Sequence, residues 1–228
     1  MTRRPTVALA CLPEAFAEQF GDYLDRRGYD VRRADEEWEL RPLLASPRID
    51  VLVLGDELPS AAVLSLLRRL QGESDPCVVL LRTRTELVET VLALELGAAD
   101  VIDAPADMRE LAARIAGLLV RRGRPGPELV SLENATVDVR SALVMHRSGE
   151  EEQLSPGQVA LLKLFLANPR KVLSRDDIIA AAPAESTEAF DRSIDSRIVR
   201  LRRKLDTDTI VTIRGTGYRF DPPADWPE

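Results

Sequence analysis

The sequence has two cysteines, one histidine and only 4% aromatic residues. Cys11 and Cys77 cannot build a disulfide framework, so an apolar core has to hold the chain, and it reads as a cytoplasmic protein with reduced thiols. The one histidine, His146, reads as a residue on a strand surface. With no second His or Cys nearby it offers no metal-ligand set. It also leaves no Ser–His or Cys–His pair, and paired catalytic carboxylates and a glycine-rich phosphate loop are missing too. An enzyme is therefore not expected, nor a cofactor. No apolar run approaches the length of a membrane span. The basic start, Met1 to Pro5, leads into an apolar run that ends by Glu14 and reads as a strand rather than a signal peptide. A positive excess is also lacking: the formal net charge is −7.

What is present fits two ordinary globular domains: 228 residues, 45% hydrophobic and 30% charged. The charge is unevenly spread. Residues 1–122 carry −5, 123–150 carry −1, 151–220 carry +2 and the tail, 221–228, carries −3. The positive excess sits in one helical stretch, and a nucleic acid responds to such a local field more than to the total.

That stretch lies between Phe190 and Leu205. Ile194, Ile198, Leu201 and Leu205 recur at spacings of four, three and four, which makes one apolar helix face. Ser193, Ser196, Arg197, Arg200, Arg203 and Lys204 point away from it. An alternating run follows, Ile210 to Ile213, then a tight turn over Arg214 to Gly217, then a returning strand, Tyr218 to Phe220. A basic helix followed by a hairpin tipped with Arg is the layout of a winged helix: the helix enters the major groove of duplex DNA and the wing lies over phosphates or the minor groove. A charged helix face alone would read as solvated surface; the hairpin, and the elements before the helix, favour DNA.

The first half alternates strand-length apolar runs with amphipathic stretches. Strands are expected at Val7–Cys11, Tyr29–Ala34, Val51–Leu54, Val78–Leu81 and Val101–Ile102. Helices are expected at Glu14–Arg27, Trp38–Leu44, Leu58–Leu70, Leu87–Leu96 and Met108–Val120. Five βα units imply a doubly wound parallel sheet covered on both faces, an α/β domain over residues 1–122. Residues 123–127, rich in Pro and Gly, read as a linker.

Residues 128–222 read as an α+β domain, with an acidic tail at 223–228. Leu129–Leu132, Ala135–Val139, Ala142–His146 and Gln153–Leu154 form an antiparallel platform, with a turn at Arg147–Glu152. Ser155, Pro156 and Gln158 open a helix with a capping box. Ser174 caps a second helix, with Asp176 and Asp177 at its positive end, and Pro183 ends it.

Several strings resemble a known family. Asp50 to Pro59 looks like the third-strand motif of response-regulator receiver domains, Gly97 to Pro105 like their fifth-strand motif, and Glu110 to Ile115 like the start of their last helix. Leu154-Ser155-Pro156-Gly157-Gln158, Val172 to Arg175, Asp191 to Leu205 and Thr212 to Phe220 resemble the OmpR/PhoB DNA-binding domain throughout. The resemblance implies a flavodoxin-like receiver followed by a winged helix with an N-terminal β-platform, acting as a DNA-binding transcription regulator in the cytoplasm.

The resemblance also assigns residues. Ser196, Arg197 and Arg200 match positions that reach base edges, with Ser193, Arg203 and Lys204 on the same basic helix. Arg192, Arg202 and Thr212 match phosphate contacts, and Arg214 the wing Arg that enters the minor groove. Arg202 has a second reading, intramolecular pairing with Asp195 or Asp206. Val199, where the family often has a polar residue, would touch a thymine methyl or stay exposed. Glu95, Asp100, Glu110, Arg114 and Arg121 match the charged dimer face formed by the fourth helix, fifth strand and fifth helix, with Thr90 in place of one family lysine. The loop Pro183–Ala189 matches a contact to RNA polymerase, and is equally readable as a plain connector.

The phosphorylation residues do not match. Gly55 stands where the receiver's Asp is expected, Cys11 and Leu12 where two Mg²⁺-binding acids are expected, Arg82 for Thr or Ser, and Ala104 for Lys. Gly55 has no oxygen to take a phosphoryl group, and Cys, Leu and Gly make no site for a hard cation. Asp56 could substitute only by turning to the other face of its strand. Arg82 would either fill the emptied pocket, pairing with Asp56 or Glu14, or extend to solvent. Cys11 reads as a redox thiol or as a small apolar filler. A second reading of the whole chain is an interaction module: the vacated crevice takes a partner protein or small ligand that controls DNA binding.

Overall fold

The computed structural model describes residues 3–45, 49–55, 58, 60–70, 72, 75–83, 86–124, 126–181, 194–223 and 226. It divides into two compact units, 1–126 and 127–228.

The first unit contains β1 (Thr6–Ala10), α1 (Glu14–Arg26), β2 (Asp30–Ala34), α2 (Glu37–Ala45), β3 (Val51–Leu54), α3 (Ser60–Arg69), β4 (Cys77–Arg82), α4 (Leu87–Glu95), β5 (Asp100–Asp103) and α5 (Met108–Arg121). The strands form one parallel sheet in the order β2-β1-β3-β4-β5. The reversal of direction falls between β1 and β3, so the crevice at the C-terminal ends of those strands is where this architecture places ligands. Both β1 and β3 are buried along their whole length, which is why they read as unbroken apolar runs.

Strand alternation splits the core into two layers. Val7, Leu9, Val51, Val53, Val79 and Leu81 pack with α1 and α5 around Phe20 and Ile115. Ala8, Ala10, Leu52, Leu54, Val78 and Leu80 pack with the α2–α3 side around Leu67. Asp50, just before β3, accepts a hydrogen bond from the Thr6 amide at 2.8 Å and an ion pair from Arg124 at 2.6 Å. The start of the expected linker is thus tied back to this unit.

The second unit opens with β6 (Leu129–Ser131), β7 (Ala135–Asp138), β8 (Leu143–His146) and β9 (Glu151–Gln153), an antiparallel sheet in sequential order. Glu151 and Glu152 therefore belong to a strand and not to the expected turn. Backbone pairing of Met145 with Glu151 and Val144 with Glu152 overrides their low strand preference. Then come α6 (Pro156–Leu166), β10 (Val172–Leu173), α7 (Arg175–Ala181), α8 (Ile194–Leu205), β11 (Ile210–Ile213) and β12 (Gly217–Phe220).

The capping box of α6 is formed: Ser155 Oγ accepts from the Gln158 amide at 3.3 Å, and Gln158 Oε1 from the Ser155 amide at 2.9 Å. At α7, Asp177 Oδ2 accepts from the Ser174 amide at 2.9 Å and its hydroxyl at 2.8 Å. These bonds hold the Asp177 carboxyl below its ordinary range. The helices pack on one core with Phe165, Ile178 and Phe220 at its centre. Trp226 closes the core edge-on to Phe220, ring centres 5.3 Å apart.

Candidate nucleic-acid interface and the receiver crevice

Helix α8 sits on the core through the stripe read from the sequence: Ile198, Leu201 and Leu205 are fully buried and Ile194 nearly so. Full burial of such side chains contributes about 1.5–3 kcal/mol each as an upper estimate. That anchorage leaves Ser196, Val199, Arg200 and Arg203 exposed on the opposite face, with Arg197 and Lys204 half-buried at its flanks. Among the described residues, no in-chain hydrogen bond or ion pair occupies the side chains of Arg197, Arg200 and Arg203. Arg192 and Ser193 lie outside the described residues, as does the loop Pro183–Ala189.

Two of the basic residues are committed within the chain. The Arg202 Nε donates to the Ile210 carbonyl at 2.6 Å and Nη2 to Thr212 Oγ1 at 2.9 Å. The intramolecular reading of Arg202 therefore has partners other than Asp195 and Asp206: it clamps α8 to β11 and joins the two side chains expected on phosphates. Lys204 Nζ lies 3.7 Å from Glu152 Oε2 on β9. His146, at the end of β8, is half-buried; its side chain is 12% exposed, with Nε2 3.5 Å from Glu152 Oε1.

Asp195, in the first turn of α8, organises the end near the wing. Its Oδ1 accepts from the Tyr218 hydroxyl at 2.6 Å and from Arg175 Nε at 2.9 Å, and Oδ2 from Arg175 Nη2 at 3.2 Å. The Arg175 bonds, then the Tyr218 bond, hold the Asp195 carboxyl below its ordinary range. Burial, and then the bond to Asp195, push the Tyr218 hydroxyl up. Arg175 and Arg202 flank the Tyr218 ring, 5.5 and 5.7 Å from its centre. Sequence reading gives Tyr218 only a strand position; the acid and base it joins stand 23 and 43 residues before it, too far apart for any local pattern to reveal.

The wing is the β11–β12 hairpin, with Arg214 and Gly215 exposed at its tip and Gly215 at φ +75°. Gly217 has φ +158°, and a Cβ there would run into the Leu173 carbonyl, because β10 pairs tightly with β12. At the other end of α8, Glu133 Oε2 accepts from Thr207 Oγ1 at 3.1 Å and from the Asp208 amide at 3.0 Å. The platform thus fixes the turn into the wing.

The crevice of the first unit departs from expectation. Its wall is Leu12, Pro13, Phe16, Gly55, Leu81, Thr83, Ala104, Pro105 and Ala106, around a cavity of about 300 Å³. Leu12, Gly55 and Ala104 line it; Cys11 and Arg82 are not among its described lining residues. Cys11 is 2% exposed and packs in the α2–α3 layer, the filler rather than the accessible thiol. Arg82 follows Val78 and Leu80 to the α3–α4 side, where its side chain is 12% exposed and Nη2 lies 3.6 Å from Glu89 Oε2. It neither extends into bulk water nor fills the crevice. Asp56 lies outside the described residues. Cys11 has φ +50°, and a Cβ on Gly55 would collide with the Cys11 carbonyl. Cys77, at the start of β4, is also buried, and burial pushes its thiol up.

Along α4, Leu87, Val88, Val91 and Leu94 are exposed, the first two by more than 70%. An amphipathic reading sends such residues to the core; the signal that they cannot all go there is that apolar residues outnumber the polar Glu89, Thr90 and Glu95 and spread beyond one helix face. On α5, Arg114 bonds Glu110 Oε1 through Nη2 at 2.7 Å and Asp100 Oδ2 through Nη1 at 3.1 Å. Glu95 and Arg121 are exposed.

Residues 149–220 match the family described as "Transcriptional regulatory protein, C terminal". The regulatory protein VirG of Agrobacterium tumefaciens (strain 15955) is 36% identical over 214 residues, 88% of this chain and 79% of that one. VirG of Agrobacterium fabrum is 36% identical over 216 residues, 90% and 85% of the two chains. The response regulator DrrB, a Thermotoga maritima OmpR/PhoB homologue, aligns with 96% of this chain and 99% of its own at 20% identity and a TM-score of 0.45. No helix among the described residues is long and apolar enough to cross a membrane. The chain belongs to the OmpR/PhoB family of DNA-binding transcriptional response regulators.

Proposed function

We propose that this regulator works without aspartyl phosphorylation, with residues 1–122 keeping the receiver shape, 123–127 as linker and 128–222 binding a specific DNA duplex. One observation carries the reading: the Cys11 carbonyl occupies the space where a side chain on Gly55 would start. The carboxylate is absent, and so is the room for it. Cys11 and Leu12 also stand in place of two carboxylates, so the described residues of the crevice offer no oxygen cage for Mg²⁺.

On the DNA side, Ser196, Arg197 and Arg200 reach base edges, with Arg203 on the same face and Arg214 entering the minor groove. Arg202 and Thr212 act first as a clamp that holds the wing to α8, and meet phosphates from that fixed position. The same regulator dimerises through α4, β5 and α5. The exposed apolar residues Leu87, Val88, Val91 and Leu94, with the charged residues Glu95, Asp100, Glu110, Arg114 and Arg121 on α4, β5 and α5, support an interface with an apolar centre and a charged rim.

The test is the affinity of the full chain for its promoter fragment, followed by fluorescence anisotropy with and without acetyl phosphate and Mg²⁺. Equal affinities are expected. Tightening on addition of the phosphodonor would contradict the reading.

A further inference from the structure

The emptied receiver crevice has the chemistry of a ligand pocket. Its floor is buried: Leu12, Gly55 and Leu81. Phe16, Ala104 and Ala106 form half-buried walls, and Pro13, Thr83 and Pro105 an exposed rim. None of these side chains ionises. In a receiver that used phosphate this would be the most charged place in the domain; here its described lining is apolar apart from Thr83.

We infer that this pocket binds a small, uncharged, largely apolar ring compound, and that such a ligand takes the place of the phosphoryl group as the receiver's input. The inference rests on the reading that the receiver has no phosphoryl chemistry. Three features select this ligand class. The first is position, at the C-terminal edge of the sheet beside the β1/β3 reversal, where doubly wound folds take ligands. The second is size. An apolar cavity of roughly 150 Å³ accepts a single benzene ring, and this one is about 300 Å³, room for two fused rings at the low end of ligand-pocket volumes. The third is polarity. Among the described lining residues a charged group would lose its hydration with no opposite charge to receive it, and water there finds few partners, so displacing it is cheap.

The ligand seats between Phe16 on α1 and the Ala104–Ala106 segment after β5. It therefore links α1 to the loop that leads into α5, within one unit. Binding would be read as a rise in thermal stability of the whole chain, by mass action on the folded state.

The experiment uses N-phenyl-1-naphthylamine, an uncharged fluorescent probe, titrated against the full-length protein. Saturable binding is expected. Ala104→Phe and Ala106→Leu, which fill the pocket from its wall, should each weaken it by about tenfold or more. Trp38→Ala, which alters the separate α2–α3 groove, should leave it unchanged. Circular dichroism identifies any filling variant that fails to fold, and the other then decides. Binding that never saturates, that survives both filling variants, or that disappears in Trp38→Ala would overturn the proposal. None of these results touches phosphoryl incorporation or DNA affinity, which are measured separately, so loss of this inference is distinguishable from loss of the reading it rests on.

Discussion

The carbonyl of Cys11 faces Gly55 so closely that no side chain fits between them. Receiver chemistry needs an acid at the end of β3; this chain has closed the backbone of the β1–α1 loop over that point. On the proposed reading the change is structural as well as chemical, so returning the acid alone should not return the function.

It follows that Gly55→Asp does not create a phosphorylatable receiver. Forcing the extra atoms in costs about 1–3 kcal/mol, as overpacking does. Thermal unfolding should show a lowered midpoint for the variant. A stable variant that takes up a phosphoryl group from acetyl phosphate would show that the loop yields easily.

Arg200 and Arg202, two residues apart on α8, should fail in different ways. Arg200→Ala removes an exposed guanidinium and should weaken specific binding by about 1–3 kcal/mol while leaving the melting temperature alone. Arg202→Ala removes the bonds to the Ile210 carbonyl and Thr212 and leaves that acceptor unsatisfied, a loss of about 1–3 kcal/mol in stability. Anisotropy on matched and scrambled duplexes, paired with thermal melts, separates the two. Equal effects on both readouts from both variants would misplace the helix.

Asp195 gives the second unit an acid-sensitive latch. Its carboxyl is held below its ordinary range in the folded state by Arg175 and then Tyr218. A depressed folded-state value means that its stabilisation is complete above the unfolded carboxylate range and is lost as pH falls through the folded value. Asp195→Asn should therefore be less stable than the parent at neutral pH, and the two should converge in acid. Chemical denaturation at a series of pH values checks this. A constant gap down to strongly acidic pH would remove the latch.

The strip on α4 predicts oligomeric state. Val88→Asp places a charge at the centre of the proposed interface and should shift sedimentation from dimer to monomer at tens of micromolar, a range set by interfaces of this modest kind. An unchanged dimer would move the interface elsewhere.

Much of this was legible because local rules and tertiary packing agree. The runs at Val7, Val51 and Val78 are buried strands, the capping box at Ser155 is formed, and the 194-198-201-205 stripe is the buried face of α8. What could not be read depends on partners distant in sequence. Strand β10 is two residues long and exists only because β12 lies beside it. Glu151 and Glu152 become a strand through backbone pairing alone. The bond from Thr207 to Glu133 spans 74 residues. The placing of Arg82 was available in principle, since strict alternation from Val78 and Leu80 sends it to the α3–α4 side and gives the crevice to Leu81. Cys11 was not available, because its positive φ turns the chain at the end of β1 and moves it out of the strand's own alternation.

The central claim is that this receiver holds its shape without phosphoryl chemistry. Its most direct test is the intact mass of the full-length chain after incubation with acetyl phosphate and Mg²⁺. No gain of mass is expected. A gain of one phosphoryl group, located by peptide mapping to Asp56, would contradict it.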